Sequence, residues 1–79
     1  ATRVGANCHI GAGCVLRDAV LGAGVVLEPY TLVGKSTVGD RVKAGPFARL
    51  RVDNQVEPGA QIGNFVELKN VRFGAQAKA

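Results

Sequence analysis

"LGAGVVLEPYTLVGKSTVG", residues 21–39, contains the pattern that decides the fold. Aliphatic side chains stand at Leu21, Leu27, Val33 and Val38, and glycine follows three of them, at Gly22, Gly34 and Gly39. A small or medium side chain comes four places after the first two aliphatics, at Val25 and Thr31, and three places after the third, at Ser36. The steps of six, six and five match neither a 3.6-residue helical period nor strict strand alternation.

The pattern extends in both directions. Apolar residues recur at Val4, Ile10 and Leu16 before it and at Ala44, Leu50, Val56, Ile62, Leu68, Phe73 and Ala79 after it. Most steps are six; Leu16 to Leu21, Val33 to Val38 and Leu68 to Phe73 are five. The small slot is filled by Cys8, Cys14, Ala19, Val42, Ala48, Ala60, Val66, Val71 and Ala77, with the polar Asn54 in the same slot. Such a repeat builds a solenoid whose turn has three short flat faces, with a small residue inward, the next outward, an aliphatic inward, then a corner. The turns read 4–20, 21–37, 38–55 and 56–72, with a fifth beginning at 73. This is an all-β, parallel β-helix of about four and a half coils, roughly 20 Å tall at the usual strand spacing. The glycines after the aliphatics are expected to supply positive φ at the corners. Thr31 and Asn54 face inward and need hydrogen-bond partners there.

Composition agrees with one small domain. The chain has 79 residues, 11 of them Gly, with no Trp or Met, so large aromatic anchors cannot supply most of the core. The formal charge of +4 is spread from Arg3 to Lys78 without a run of like charge, which does not indicate a nucleic-acid patch. No apolar stretch approaches the ~20 residues a membrane helix needs, and no secretory signal is visible, so a reduced, cytoplasmic setting is expected. The missing initiator methionine reads as a chain cut from something longer. Cys8, Cys14 and the single His9 make no metal set. Cys8 and Cys14 fill the inward small slot on different faces and are expected to be free, buried small hydrophobes.

Two stretches bear on function. "GPFARLR", residues 45–51, and "GNFVELK", residues 63–69, place charged residues around Leu50 and Leu68 eighteen positions apart. One turn of the solenoid separates them, so Arg49 is expected beside Glu67 and Arg51 beside Lys69. Arg49 and Glu67 can pair. Arg51 and Lys69 are like charges on neighbouring rungs, an unfavourable arrangement. Either an anion such as phosphate lies between them, or the two long side chains splay into solvent.

The same stretches, with "LEPYTLVGKSTVG" upstream, are similar to the acetyltransferase domain of the bacterial bifunctional N-acetylglucosamine-1-phosphate uridyltransferase and glucosamine-1-phosphate acetyltransferase, a hexapeptide-repeat family. The resemblance runs over about residues 4–79 and is strongest from 44 to 69. It implies a left-handed β-helix, a homotrimer with sites between neighbouring prisms, acetyl-CoA as the parent's cofactor, and a role in UDP-N-acetylglucosamine biosynthesis for the cell wall. It implies that Arg51 and Lys69 bind the sugar phosphate, with Glu67, and beside it Arg49, in support. The family's "RPG" is here "RVDN", which alters that corner. The family's histidine base falls just beyond Ala79, so no catalytic residue is assigned in this chain, no cofactor is expected on it, and the isolated chain is expected to be inactive. His9 lies three coils from Lys69, about 14 Å, too far for a base, which must come within about 3 Å of its proton.

Tyr30, Phe47 and Phe65 share one slot in successive turns and are expected to form a corner column at or near a subunit interface. Without a capping helix, an end-stacked assembly is the other expected association. The alternative to an acetyltransferase fragment is a structural or designed solenoid module in which Arg51 and Lys69 are idle. A third, an anion- or nucleic-acid-binding module resting on net charge, has no patch to support it.

Overall fold

A computed structural model describes residues 2–74 of the chain. It contains thirteen short strands: β1 (Arg3–Val4), β2 (His9–Ile10), β3 (Val15–Arg17), β4 (Val20–Leu21), β5 (Val26–Leu27), β6 (Leu32–Gly34), β7 (Thr37–Val38), β8 (Lys43–Ala44), β9 (Arg49–Val52), β10 (Gln55–Val56), β11 (Gln61–Ile62), β12 (Glu67–Lys69) and β13 (Arg72–Phe73). Every third strand is hydrogen-bonded in parallel, giving sheets ordered β1-β4-β7-β10-β13, β2-β5-β8-β11 and β3-β6-β9-β12. These are the first, second and third faces of a parallel β-solenoid 22 × 21 × 20 Å in extent. Val4 pairs with Leu21, Leu21 with Val38, Val38 with Val56 and Val56 with Phe73, which are the turn boundaries read from the repeat. The slots assigned to Ala77 and Ala79 lie outside the described residues.

The inward columns make the core. Leu21, Leu27, Val33, Val38, Ala44, Leu50, Val56, Ile62 and Leu68 are buried, as are the small-slot residues Ala19, Val25, Val42, Ala48 and Ala60. Burial alternates along the two-residue strands β4, β7, β8, β10 and β11, whereas β1 and β2 in the first turn are exposed at both residues, so Val4 and Ile10 are not buried as the repeat led one to expect.

The corners differ from expectation. Of the glycines that follow an aliphatic, only Gly45 takes positive φ among the described residues. The left-handed residue comes one or two places later: Asn7, Gly13, Asp18, Gly24, Tyr30, Lys35, Arg41, Phe47, Asp53, Gly59, Phe65 and Asn70. The glycines after the aliphatics answer a different need, close approach of successive turns. A Cβ on Gly5 would lie 2.6 Å from the carbonyl carbon of Gly22, one on Gly39 would lie 2.6 Å from Pro58 N, and one on Gly34 would lie 2.6 Å from the Arg51 carbonyl oxygen.

One strand is irregular. β9 has four residues where its neighbours β6 and β12 have three, and the register slips so that Lys69 pairs with Val52. Arg51 and Val52 together oppose one residue, a β-bulge. The inward slot beyond it holds Asn54, which is buried. Its Nδ2 donates to the Leu68 carbonyl at 2.8 Å and to Ser36 Oγ at 3.3 Å, and its Oδ1 accepts from Val71 N at 3.0 Å. Ser36 Oγ donates to the Gly34 carbonyl at 2.7 Å, and Thr31 Oγ1 donates to the Glu28 carbonyl at 2.8 Å. The inward polar residues thus find the corner and interstrand partners they require.

Candidate functional site

The third face presents two outward columns. The first runs Val15, Leu32, Arg49, Glu67; the second starts with Arg17 and Gly34 and is broken at β9, where Lys69 pairs with Val52. Arg49, Arg51, Glu67 and Lys69 are all exposed. They belong to adjacent strands β9 and β12, so the face gathers three cations and one carboxylate within two rungs.

The pairing inside this group corrects the sequence reading twice. Glu67 lies directly opposite Arg49 in the ladder, yet its carboxylate accepts a hydrogen bond from Arg51 Nη1 at 2.9 Å. Lys69 faces Val52 rather than Arg51. The bulge accounts for the second: the additional residue takes Arg51 off the level of Lys69, and from the diagonal its guanidinium reaches Glu67. Both partners of the ion pair are about half exposed, at 49% and 48%, and such a pair contributes about 0.2–1 kcal/mol. Lys69, Arg49 and Arg17 make no ion pair among the described residues. Gly34, which follows Arg17 in the second column, is buried, and the Arg51 carbonyl closes over the place its Cβ would take.

On one edge of this face runs the aromatic column. The rings of Tyr30 and Phe47 stack at 5.4 Å and 11°, those of Phe47 and Phe65 at 5.5 Å and 6°. They stand at a corner with left-handed backbone, φ 63°, 59° and 58°, and remain 58%, 46% and 77% exposed. Below Tyr30 the column closes on Gly13, whose missing Cβ makes room for the ring. Bulky residues rarely adopt this backbone, so three on one corner mark it as unlike the other two, which hold mostly Asn, Asp, Gly and basic residues.

The remaining candidates fall elsewhere. His9 lies in β2 on the second face, away from β12. Cys8 and Cys14 are free, but half-buried rather than buried, since they lie in the first turn with no turn beneath it among the described residues; their thiols donate to the Gly22 and Glu28 carbonyls at 3.1 and 3.2 Å. A depression of about 490 Å³ opens around the third corner, between Asp18, Lys35, Asp53, Thr37 and Gln55, and neither Arg51 nor Lys69 lines it. Among the described residues no helix is long and apolar enough to cross a membrane.

The bulge escaped the reading of the sequence, although a signal was there. Third units elsewhere have five residues, and Leu50 to Val56 has six.

Comparison with known proteins bears on this arrangement. The chain is 50% identical over 78 residues to a bifunctional protein GlmU from Anaeromyxobacter sp. (strain Fw109-5), an alignment covering 99% of the chain and 16% of that protein. It is 49% identical over 78 residues to the GlmU of Sorangium cellulosum (strain So ce56), covering 96% of the chain and 16% of the relative. With the GlmU of Acinetobacter baylyi (strain ATCC 33305 / BD413 / ADP1) the identity is 44% over 71 residues, 90% of the chain and again 16% of the relative. The chain therefore spans about one sixth of the length of these relatives. No protein-family model matches it.

Proposed function

We propose, from the premise that this chain is homologous to a segment of the bifunctional GlmU proteins, that it is part of a glucosamine-1-phosphate N-acetyltransferase domain holding half of the acceptor site. The observation that carries this reading is identity near 50% along almost the entire chain, in a solenoid whose third face groups Arg51, Lys69, Arg49 and Glu67.

In this reading the fold is the left-handed form of the β-helix. Arg51 and Lys69 take the phosphate of the acceptor sugar, Arg as a fork and Lys as a point charge, while Glu67 and Arg49 support them. Acetyl-CoA is the parent's acetyl donor, and this chain supplies no residue for it. The acceptor amine must lose a proton as it attacks, and the only histidine among the 79 residues is His9. It stands on another face, beyond the ~3 Å reach of a general base. These residues therefore bind and orient, and acetyl transfer needs a base from elsewhere.

The site is an open face, where water competes for every charge. A second surface is needed to enclose a ligand there. A homotrimer supplies one, with the Tyr30, Phe47 and Phe65 column at or near the contact. The setting is the cytoplasm, where such sugar phosphates serve cell-wall precursor synthesis.

The test is titration of the chain with glucosamine 1-phosphate, followed by NMR. Binding that Arg51→Ala and Lys69→Ala each abolish supports the retained half-site. No binding by the unsubstituted chain favours a purely structural solenoid. Acetyl transfer by the chain alone at an ordinary enzymatic rate overturns the division of labour proposed here.

A further inference from the structure

We propose that Glu67 is a positioning residue with two alternative partners: it occupies Arg51 while the site is empty, and passes to Arg49 when an anion takes the Arg51 fork. This rests on the reading of Arg51 as a phosphate ligand and adds how the empty site is held.

Three observations carry it. Glu67 bonds Arg51 at 2.9 Å, across the diagonal of the ladder. Arg49 is the residue directly opposite Glu67 and has no ion pair of its own among the described residues. The bulge at Arg51 and Val52 takes Arg51 off the rung of Lys69, and Glu67 has Arg51 as its ion-pair partner and Arg49 as its ladder partner. Glu67 accepts from Nη1 of Arg51 alone, and an anion that takes the fork of the two terminal nitrogens engages that same nitrogen and brings a second negative charge beside the carboxylate. The released carboxylate then has a cation on the adjacent rung, at about 5 Å strand spacing, so it is not left beside the incoming charge unpaired. Arg49 thereby assists binding without touching the ligand. Lys69, without an ion-pair partner among the described residues, is free to meet the anion directly.

The experiment measures the affinity of the 79-residue chain for inorganic phosphate at fixed ionic strength, with the Arg51 side-chain NMR signal as readout. The variants are Glu67→Gln, Arg49→Gln, their combination, Arg51→Gln, and Glu57→Gln as a control. Glu57 is paired with Arg72 at 3.7 Å, and its substitution changes net charge equally. Glu67→Gln is expected to tighten phosphate by about two- to fivefold, the range an exposed ion pair supports, with Glu57→Gln near unity. Arg49→Gln is expected to weaken it by a similar factor, and this effect is expected to vanish in the Glu67→Gln background, the mark of coupled residues. Equal affinities of the unsubstituted chain and Glu67→Gln, both lost in Arg51→Gln, overturn the exchange and leave the phosphate site standing. So does an Arg49→Gln effect that persists undiminished without Glu67. Absence of phosphate binding in every variant overturns both readings.

Discussion

Asn54 bridges two backbone groups of the turn above it, giving a hydrogen bond to the Leu68 carbonyl at 2.8 Å and receiving one from Val71 N at 3.0 Å. Those groups flank the level at which β9 holds its additional residue, where the backbone ladder slips. The side chain replaces from inside what the ladder does not supply. Asn54→Leu keeps the volume and removes both bonds. We expect it to lower stability by about 2–4 kcal/mol, the cost of two buried polar groups left unpaired, measured by urea unfolding followed by circular dichroism.

The two kinds of glycine separate under substitution. Gly24 sits at φ 70° with only Arg41 Cγ near its missing Cβ, at 3.6 Å. Gly24→Asn is therefore expected to cost about 1 kcal/mol or less, because Asn tolerates the left-handed region. Gly34 has ordinary φ, but its Cβ would press on the Arg51 carbonyl at 2.6 Å. Gly34→Ala is expected to cost about 1–3 kcal/mol through overpacking against backbone. Equal unfolding midpoints for the two variants would contradict this division.

Phe47 is stacked on both sides and Phe65 on one. With about 0.5–1.5 kcal/mol per aromatic pair, Phe47→Ala is expected to destabilise more than Phe65→Ala. If the column also lies at a contact between copies, both variants lower the mass measured by sedimentation, and the exposed Phe65 does so with the smaller loss of monomer stability.

Cys8 and Cys14 each have a carbonyl partner and pack against the core. In the folded chain both thiols are expected to react with a disulfide reagent at least several-fold more slowly than in urea. Mild oxidation is expected to leave the monomer without an internal bridge. Mass spectrometry after alkylation reads both outcomes.

Much of the fold was legible because inward positions carry the repeat. Leu21, Leu27, Val33 and Val38 announce the three faces, and the five-residue steps place the turn boundaries. The outward residues were harder. Their neighbours depend on local register, and one additional residue between Leu50 and Val56 took Arg51 off the rung of Lys69. The counting of turns is insensitive to where such a residue is absorbed. The corner glycines misled for another reason: a residue without Cβ serves both unusual φ and close contact, and composition alone does not tell the two apart. The stacking of the aromatic column at one corner was legible because it requires only equal slots in successive turns.

The ladder also bears on how a molecule of this kind changes over generations. Each turn draws its partners from the turns next to it, Val26 from His9 and Lys43, Gln55 from Thr37 and Arg72. Copying or excising a whole block of seventeen residues leaves every remaining neighbour with an equivalent neighbour, so such a chain can grow or shrink by duplication without assembling a new interior. A single-residue insertion is local too, provided a side chain such as Asn54 is at hand to mend the break.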